Sequence, residues 1–180
     1  QEIAARGRQV ESVFYTLAAP EDLKGISFNC GNEYIDNYYK ENKIFLDNDA
    51  VTYCFWTDES KRALVGIASL SCSGIIIKSK TQFYLEPAIE IKIFAVDEKY
   101  QHVTFPDEET SENWSDYCLF YLFEIIDDIC THCGAAHIDL YSVKQAEGFY
   151  KRHHFERFKE LMERPSNREI DGCIPMFINL

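Results

Sequence analysis

This sequence is short of several things, and each shortage removes a class of protein. No run of about 18 apolar residues occurs, so no membrane-spanning helix is expected. The N-terminus has no basic segment followed by an apolar one, which argues against a secretory signal. Basic residues are scarce: 18 Lys and Arg stand against 30 Asp and Glu, a formal net charge of −12. Such a chain repels polyanions at long range, so DNA, RNA and anionic membrane surfaces fit poorly as partners and a cationic acceptor fits better. The seven cysteines are an odd number without the dense spacing of a disulfide scaffold, which points to free thiols in a reducing cytoplasm. Cys130 and Cys133 form a lone C-x-x-C followed by no second pair of ligands, so it reads as the packed end of a helix and no metal is expected.

What is present suits one globular domain. At 180 residues and 46% hydrophobic content the chain has enough apolar side chains for a substantial core. Residues 13–180 are expected to form that single domain, with residues 1–12 a flexible N-terminal segment. Alternating apolar character predicts strands over 13–18, 50–57, 63–77 and 87–96, the last three forming an antiparallel meander. Tyr34, Ile35, Tyr38, Tyr39 and Phe45 recur at helical spacing and predict a helix over 32–45. A second helix is expected after Ser115 as N-cap, carrying Leu119, Leu122, Ile125, Ile126 and Ile129 and stopped by Gly134. Strand 136–142, helix 143–153 and strands 155–163 and 174–180 complete a mixed α/β order. The connection from Gln101 to Trp114 is about 14 residues long, and that length points to a functional or mobile loop.

Four segments carry a resemblance. Phe28-Asn29-Cys30-Gly31 runs into Tyr34-Ile35-Asp36. Leu64-Val65-Gly66-Ile67-Ala68-Ser69-Leu70 forms the second segment. Pro87-Ala88-Ile89-Glu90-Ile91-Lys92-Ile93-Phe94-Ala95-Val96-Asp97 forms the third. Ala146-Glu147-Gly148-Phe149-Tyr150, followed by His154-Phe155, forms the last. In this order they resemble the bacterial branch of the GCN5-related N-acetyltransferase (GNAT) superfamily, whose closing motif is often F-Y-x-x-x-G-F. The usual Gly of that motif is His154 here. The superfamily's phosphate loop, Q/R-x-x-G-x-G/A, reads Gln101-His102-Val103-Thr104-Phe105-Pro106, so both small positions are lost and an acidic stretch follows.

The resemblance implies the GNAT acyl-CoA N-acyltransferase fold, a mixed central sheet with an antiparallel meander flanked by helices. It also implies a reaction: transfer of an acetyl group from acetyl-CoA to a primary amine, by direct attack in a ternary complex. Tyr150 matches the tyrosine that protonates the departing thiolate, and Glu90 the glutamate that serves as general base. Phe94, Ala95 and Val96 would pair with the pantetheine arm through their backbone, and Gln101 holds the first position of the phosphate loop. Ser115 with the amides of Asp116 and Tyr117 would offer a helix N-terminus to the pyrophosphate. The basic cluster Lys151-Arg152-His153-His154 is a further candidate for phosphate. The acceptor is a small amine, a polyamine or a protein amine. Two alternatives stay open: a catalytically inactive binding or regulatory module of the same fold, and a toxin-type acetyltransferase acting on aminoacyl-tRNA.

Overall fold

The computed structural model describes residues 13–46, 49–106, 111–164 and 172–180. The flexible segment expected over 1–12 therefore lies outside the described residues, as does the acidic stretch 107–110. Strand β1 (Phe14–Leu17) leads through α1 (Pro20–Leu23), α2 (Glu33–Lys40) and α3 (Lys43–Leu46) into β2 (Val51–Trp56). Strands β3 (Leu64–Lys78) and β4 (Phe83–Val96) then form a long hairpin, and α4 (Trp114–Cys133) crosses back to β5 (His137–Val143). A 3₁₀ turn leads into α5 (Glu147–Arg152), the short β6 (Glu156–Arg157) and β7 (Met162–Glu163), and finally β8 (Cys173–Asn179). The sheet order is β1-β2-β3-β4-β5-β8-β6, with β7 laid on β3; among the described residues only β4 and β5 run parallel. Among the described residues no helix is long and apolar enough to cross a membrane.

Three sequence expectations change in detail. The helix expected over 32–45 is broken, because Asn42 turns into the left-handed region (φ 55), which Asn tolerates better than most residues. The strand expected over 155–163 is two short strands with different partners: β6 pairs with β8, whereas β7 crosses to β3. The cap of α4 is Asn113, not Ser115; Val103 O accepts the Trp114 N–H at 3.1 Å, so the helix is anchored two residues earlier. Gly134 does end α4, in the left-handed conformation expected of a C-terminal cap.

The sheet is buried on both faces, and a bulge in β4 decides which residue goes where. Ser69 pairs with Ile93 but Leu70 pairs with Ile91, so Lys92 is an extra residue in the ladder. The bulge inverts the alternation. Ile89 and Ile91 pack with Leu119, Leu122 and Ile126 of α4, whereas Ile93 and Ala95 pack on the other face with Leu23, Phe28 and Tyr38 of the α1–α2 region. A bulged strand also bends, and β4 pairs with β5 only as far as Ile91 and Leu140. Beyond the bulge the two parallel strands separate.

Candidate active site

The separation of β4 and β5 opens a gap in the middle of the sheet, and hydrogen-bond alternation dictates what faces it. The Asp97 N–H donates to Val65 O at 2.8 Å, so Asp97 and Val65 form a hydrogen-bonded antiparallel pair. Counting back, Ala95 with Ile67 and Ile93 with Ser69 form the next such pairs, and Val96 and Phe94 fall between them with their N–H and C=O groups turned away from β3. The amides of Phe94 and Val96 thus face the gap and donate to no other described residue. Gln101 closes the far end: its Nε2 donates to Val96 O at 2.7 Å and to Cys30 O at 2.9 Å. Gly66 lies opposite Val96, and a Cβ there would meet Ala95 O at 2.8 Å. The close approach of β3 to this part of β4 therefore depends on a residue without a side chain.

At the foot of the gap, on the face away from α4, lies a polar cluster that motif reading did not find beyond Glu90. Glu90 and Asp139 are neighbours in the β4–β5 register, one pair before the strands part. Arg164, just after β7, bridges them: Nη2 lies 2.7 Å from Glu90 Oε2 and Nε lies 3.0 Å from Asp139 Oδ2. Ser71 donates to Glu90 and Ser73 to Asp139, each at 3.2 Å. The guanidinium also stacks over the Tyr141 ring, 4.7 Å from its centre. Asp139 is 1% exposed, and its Oδ1 is sealed from solvent without a hydrogen-bond partner among the described residues. Burial raises its carboxyl to a pKa of about 6; Arg164 opposes the rise and the Glu90 charge adds to it. The sequence signal for Asp139 was a carboxylate set between Ile138 and Leu140 in an otherwise apolar strand. Nothing near Arg164 in the sequence marks it, because it reaches the cluster only through the β7–β3 pairing.

The opposite wall of the gap is α5. Phe149 stacks on Phe94 with ring centres 6.0 Å apart and planes 13° from parallel, so an aromatic pair spans the opening. Tyr150, the next residue, is buried among Phe149 and Phe155. Its hydroxyl has no protein partner among the described residues, yet it is not one of the sealed polar atoms. The oxygen is the accessible tip of a buried ring. Burial holds the phenol well above its usual range, so it stays neutral throughout the working pH of a protein. Tyr150 and Glu90 lie on opposite faces of the sheet and are connected only through the gap.

The end of the gap near α4 is closed. Thr104 bridges to Asn113, Phe105 N–H donates to Glu112 O at 2.8 Å, and Trp114 N–H donates to Val103 O, so the loop forms a small antiparallel flap. Phe105 is buried beneath it, stacked on Tyr117 at 4.0 Å and set edge-on to Trp114 at 4.7 Å. The amides of Asp116 and Tyr117, expected to be open, both donate to Asn113 O, at 3.0 and 3.2 Å. Asp116 turns its carboxylate into the position of an anion at the helix start. It accepts from the Asn113 amide at 2.9 Å, from His153 Nε2 at 2.7 Å and from Arg152 Nη2 at 3.1 Å. Burial alone would raise this carboxyl, but these donors hold it below its usual range. A cleft of about 690 Å³ beside it sets Arg152, His153 and His154 against Glu112 and Asp116. Lys151 is drawn off to Glu147 at 2.7 Å, so the basic run is largely neutralised by its own surroundings. The residues at the phosphate end do not form the glycine cradle that a pyrophosphate takes.

A sheet parted between a bulged β4 and a parallel β5, with a tyrosine-bearing helix behind the gap, is the GNAT acyltransferase fold. Solved structures of that shape are similar to this chain over nearly their whole length. One is a bacterial toxin, 18% identical, with a TM-score of 0.68 over 94% of this chain and 92% of that one. Another is a tyrosine-to-phenylalanine mutant of the toxin AtaT, 13% identical, with a TM-score of 0.69 over 94% of this chain and 91% of that one. A third is AtaT complexed with acetyl-methionyl-tRNAfMet, 15% identical, with a TM-score of 0.60 over 91% of this chain and 94% of that one. No protein-family model and no curated protein matches the sequence.

Proposed function

We propose that this chain is an N-acetyltransferase that moves an acetyl group from a pantetheine thioester, acetyl-CoA in the first instance, to a primary amine. The observation that carries the reading is the pair of unpartnered amides, Phe94 and Val96, facing the gap between β4 and β5. An extended pantetheine arm would add there as a strand, and the Phe94 or Val96 amide would take up the charge that develops on the thioester oxygen. Glu90, through a water, would remove the proton of the acceptor ammonium. The amine then attacks the carbonyl carbon, the C–S bond breaks as Tyr150 protonates the thiolate, and the proton shed by the new amide nitrogen passes to water, from which the tyrosinate is reprotonated. A raised phenol pKa makes Tyr150 a weaker acid than a free tyrosine, but keeps its proton in place until the thiolate forms. Support from relatives is that the similar structures include AtaTR bound with acetyl-CoA and an AtaT mutant bound to the C-terminus of the antitoxin AtaR and acetyl-CoA.

Likeness to AtaT favours a second acceptor, an aminoacyl-tRNA, whose free α-amino group needs the same chemistry. The net charge of −12 weighs against a polyphosphate substrate and toward a cationic amine. The test is thiol release from acetyl-CoA in the presence of polyamines, lysine peptides or methionyl-tRNA, with Tyr150→Phe as the paired protein. The expected outcome is turnover with at least one acceptor and a kcat lower by roughly 10²-fold or more in the variant, as for loss of a general acid. Stability should be almost unchanged, since the hydroxyl makes no hydrogen bond to another described residue. No thiol release with any acceptor, and no binding at millimolar thioester, would overturn the enzyme reading in favour of an inactive binding module.

A further inference from the structure

The start of α4 is an anion site already filled by the chain. Three donors converge there, the Asn113 amide, His153 Nε2 and Arg152 Nη2, and each is spent on the Asp116 carboxylate, which is buried with only 2% of its side chain exposed. The Asp116 and Tyr117 amides turn back to Asn113 O, and the Trp114 amide to Val103 O. The preceding loop buries Phe105 beside the helix start and pins it by stacking on Tyr117. A phosphate entering this position would meet a buried carboxylate as well as Glu112 at the cleft rim. The donors that a phosphate would need are already taken by the Asp116 carboxylate. Along β4, by contrast, donors remain free, because the Phe94 and Val96 amides face the gap unpaired.

We propose that this chain recognises its donor by the pantetheine arm alone, with Asp116 standing in the place of the pyrophosphate. The donor class is then any acyl-pantetheine thioester, whether free, as the 4′-phosphopantetheine form, or carried on a larger molecule. The nucleotide of coenzyme A adds no recognition. This inference rests on the acyl-transfer reading above and deepens it.

The experiment compares acetyl-CoA with acetyl-pantetheine, by thiol release and by equilibrium binding, in the same protein with the same amine. The expected result is kcat/KM and Kd values within about threefold of one another, and binding of acetyl-CoA that changes little between low and high salt. A preference for acetyl-CoA of 100-fold or more overturns the inference while leaving the acyl-transfer reading intact. Binding of both thioesters with equal affinity but no turnover supports the inference and sinks the reading of the chain as an enzyme. Absence of binding by either thioester overturns both. As a second arm, Asp116→Ala releases the three donors, and a folded variant is expected to gain at least tenfold in preference for acetyl-CoA. A folded variant with no gain would remove Asp116 from the explanation. Should that variant fail to fold, the comparison in the unaltered protein decides.

Discussion

Glu90 and Asp139 stand side by side across the one parallel pair of the sheet and share a single guanidinium, that of Arg164. Two carboxylates and one arginine leave one negative charge in excess, and the buried member of the pair bears its cost. Asp139 is the buried one, with one oxygen unpartnered and a carboxyl raised from 3.8 to about 6. A raised carboxyl means that the folded chain binds a proton more tightly than the unfolded chain does. Its effect is nil below pH 4, where both states are protonated, and the folded state loses stability as pH rises from about 4 to 6. Above pH 6 the loss is complete, on the order of 3 kcal/mol from the size of the shift.

Asp139→Asn keeps the shape and removes the titration. Urea unfolding of both proteins is expected to give similar midpoints at pH 4, with the variant increasingly the more stable up to pH 6 and a constant difference beyond. A difference that stays flat from pH 4 to 8 would show that Asp139 titrates in the ordinary carboxylate range.

His154 gives a different kind of prediction, about backbone strain. In the sequence it occupies the Gly position of the F-Y-x-x-x-G-F motif, and the chain there adopts φ 68, in the region that favours glycine. The turn is fixed by neighbours: Phe155 N–H donates to Tyr150 O at 3.1 Å and His154 N–H to Lys151 O at 3.1 Å. A side chain in that conformation costs on the order of 1 kcal/mol. His154→Gly is therefore expected to raise stability by up to about 1 kcal/mol, partly offset by the greater freedom of glycine in the unfolded chain. Thermal unfolding checks it, and a lower Tm in the variant would mean that the imidazole makes a contact worth more than the strain.

Much of the fold was legible because its signals are local. Alternation in Leu64-Val65-Gly66-Ile67-Ala68 and the helical spacing from Leu119 to Ile129 place strand and helix without tertiary information, and the motif order then sets the topology. Glu90, Phe94, Val96 and Tyr150 were legible only because their segments resemble the GNAT motifs. The bulge at Lys92 was not, because it arises from a mismatch between two strands far apart in sequence. Arg164 was hidden for the same reason. It meets Glu90 and Asp139 only because β7 returns to β3, after a stretch that reads as one strand. The lost glycines at Thr104 and Pro106 signalled a changed loop, but what replaced the cradle, the Asp116 carboxylate, depends on a helix that starts at Trp114 and on His153 from another helix.

The gap between β4 and β5 also depends on β3, through Gly66. This residue faces Val96 in a pair that exchanges no hydrogen bonds, where opposed backbones come closest, and an added Cβ would lie 2.8 Å from Ala95 O. That atom is backbone in a buried strand, so it cannot swing aside as a side chain would. Gly66→Ala must push β4 outward at the same residues whose amides face the gap, or twist β3 away from β2 at Phe55. Overpacking of this kind typically costs roughly 1–3 kcal/mol. Because the shift is directed into the gap, loss of thioester binding is expected to exceed what the lower stability explains: at a temperature where both proteins are fully folded, Kd should still rise severalfold. Equal Kd in the folded variant and the parent would place the strain in β3 and leave the Phe94 and Val96 amides where they are.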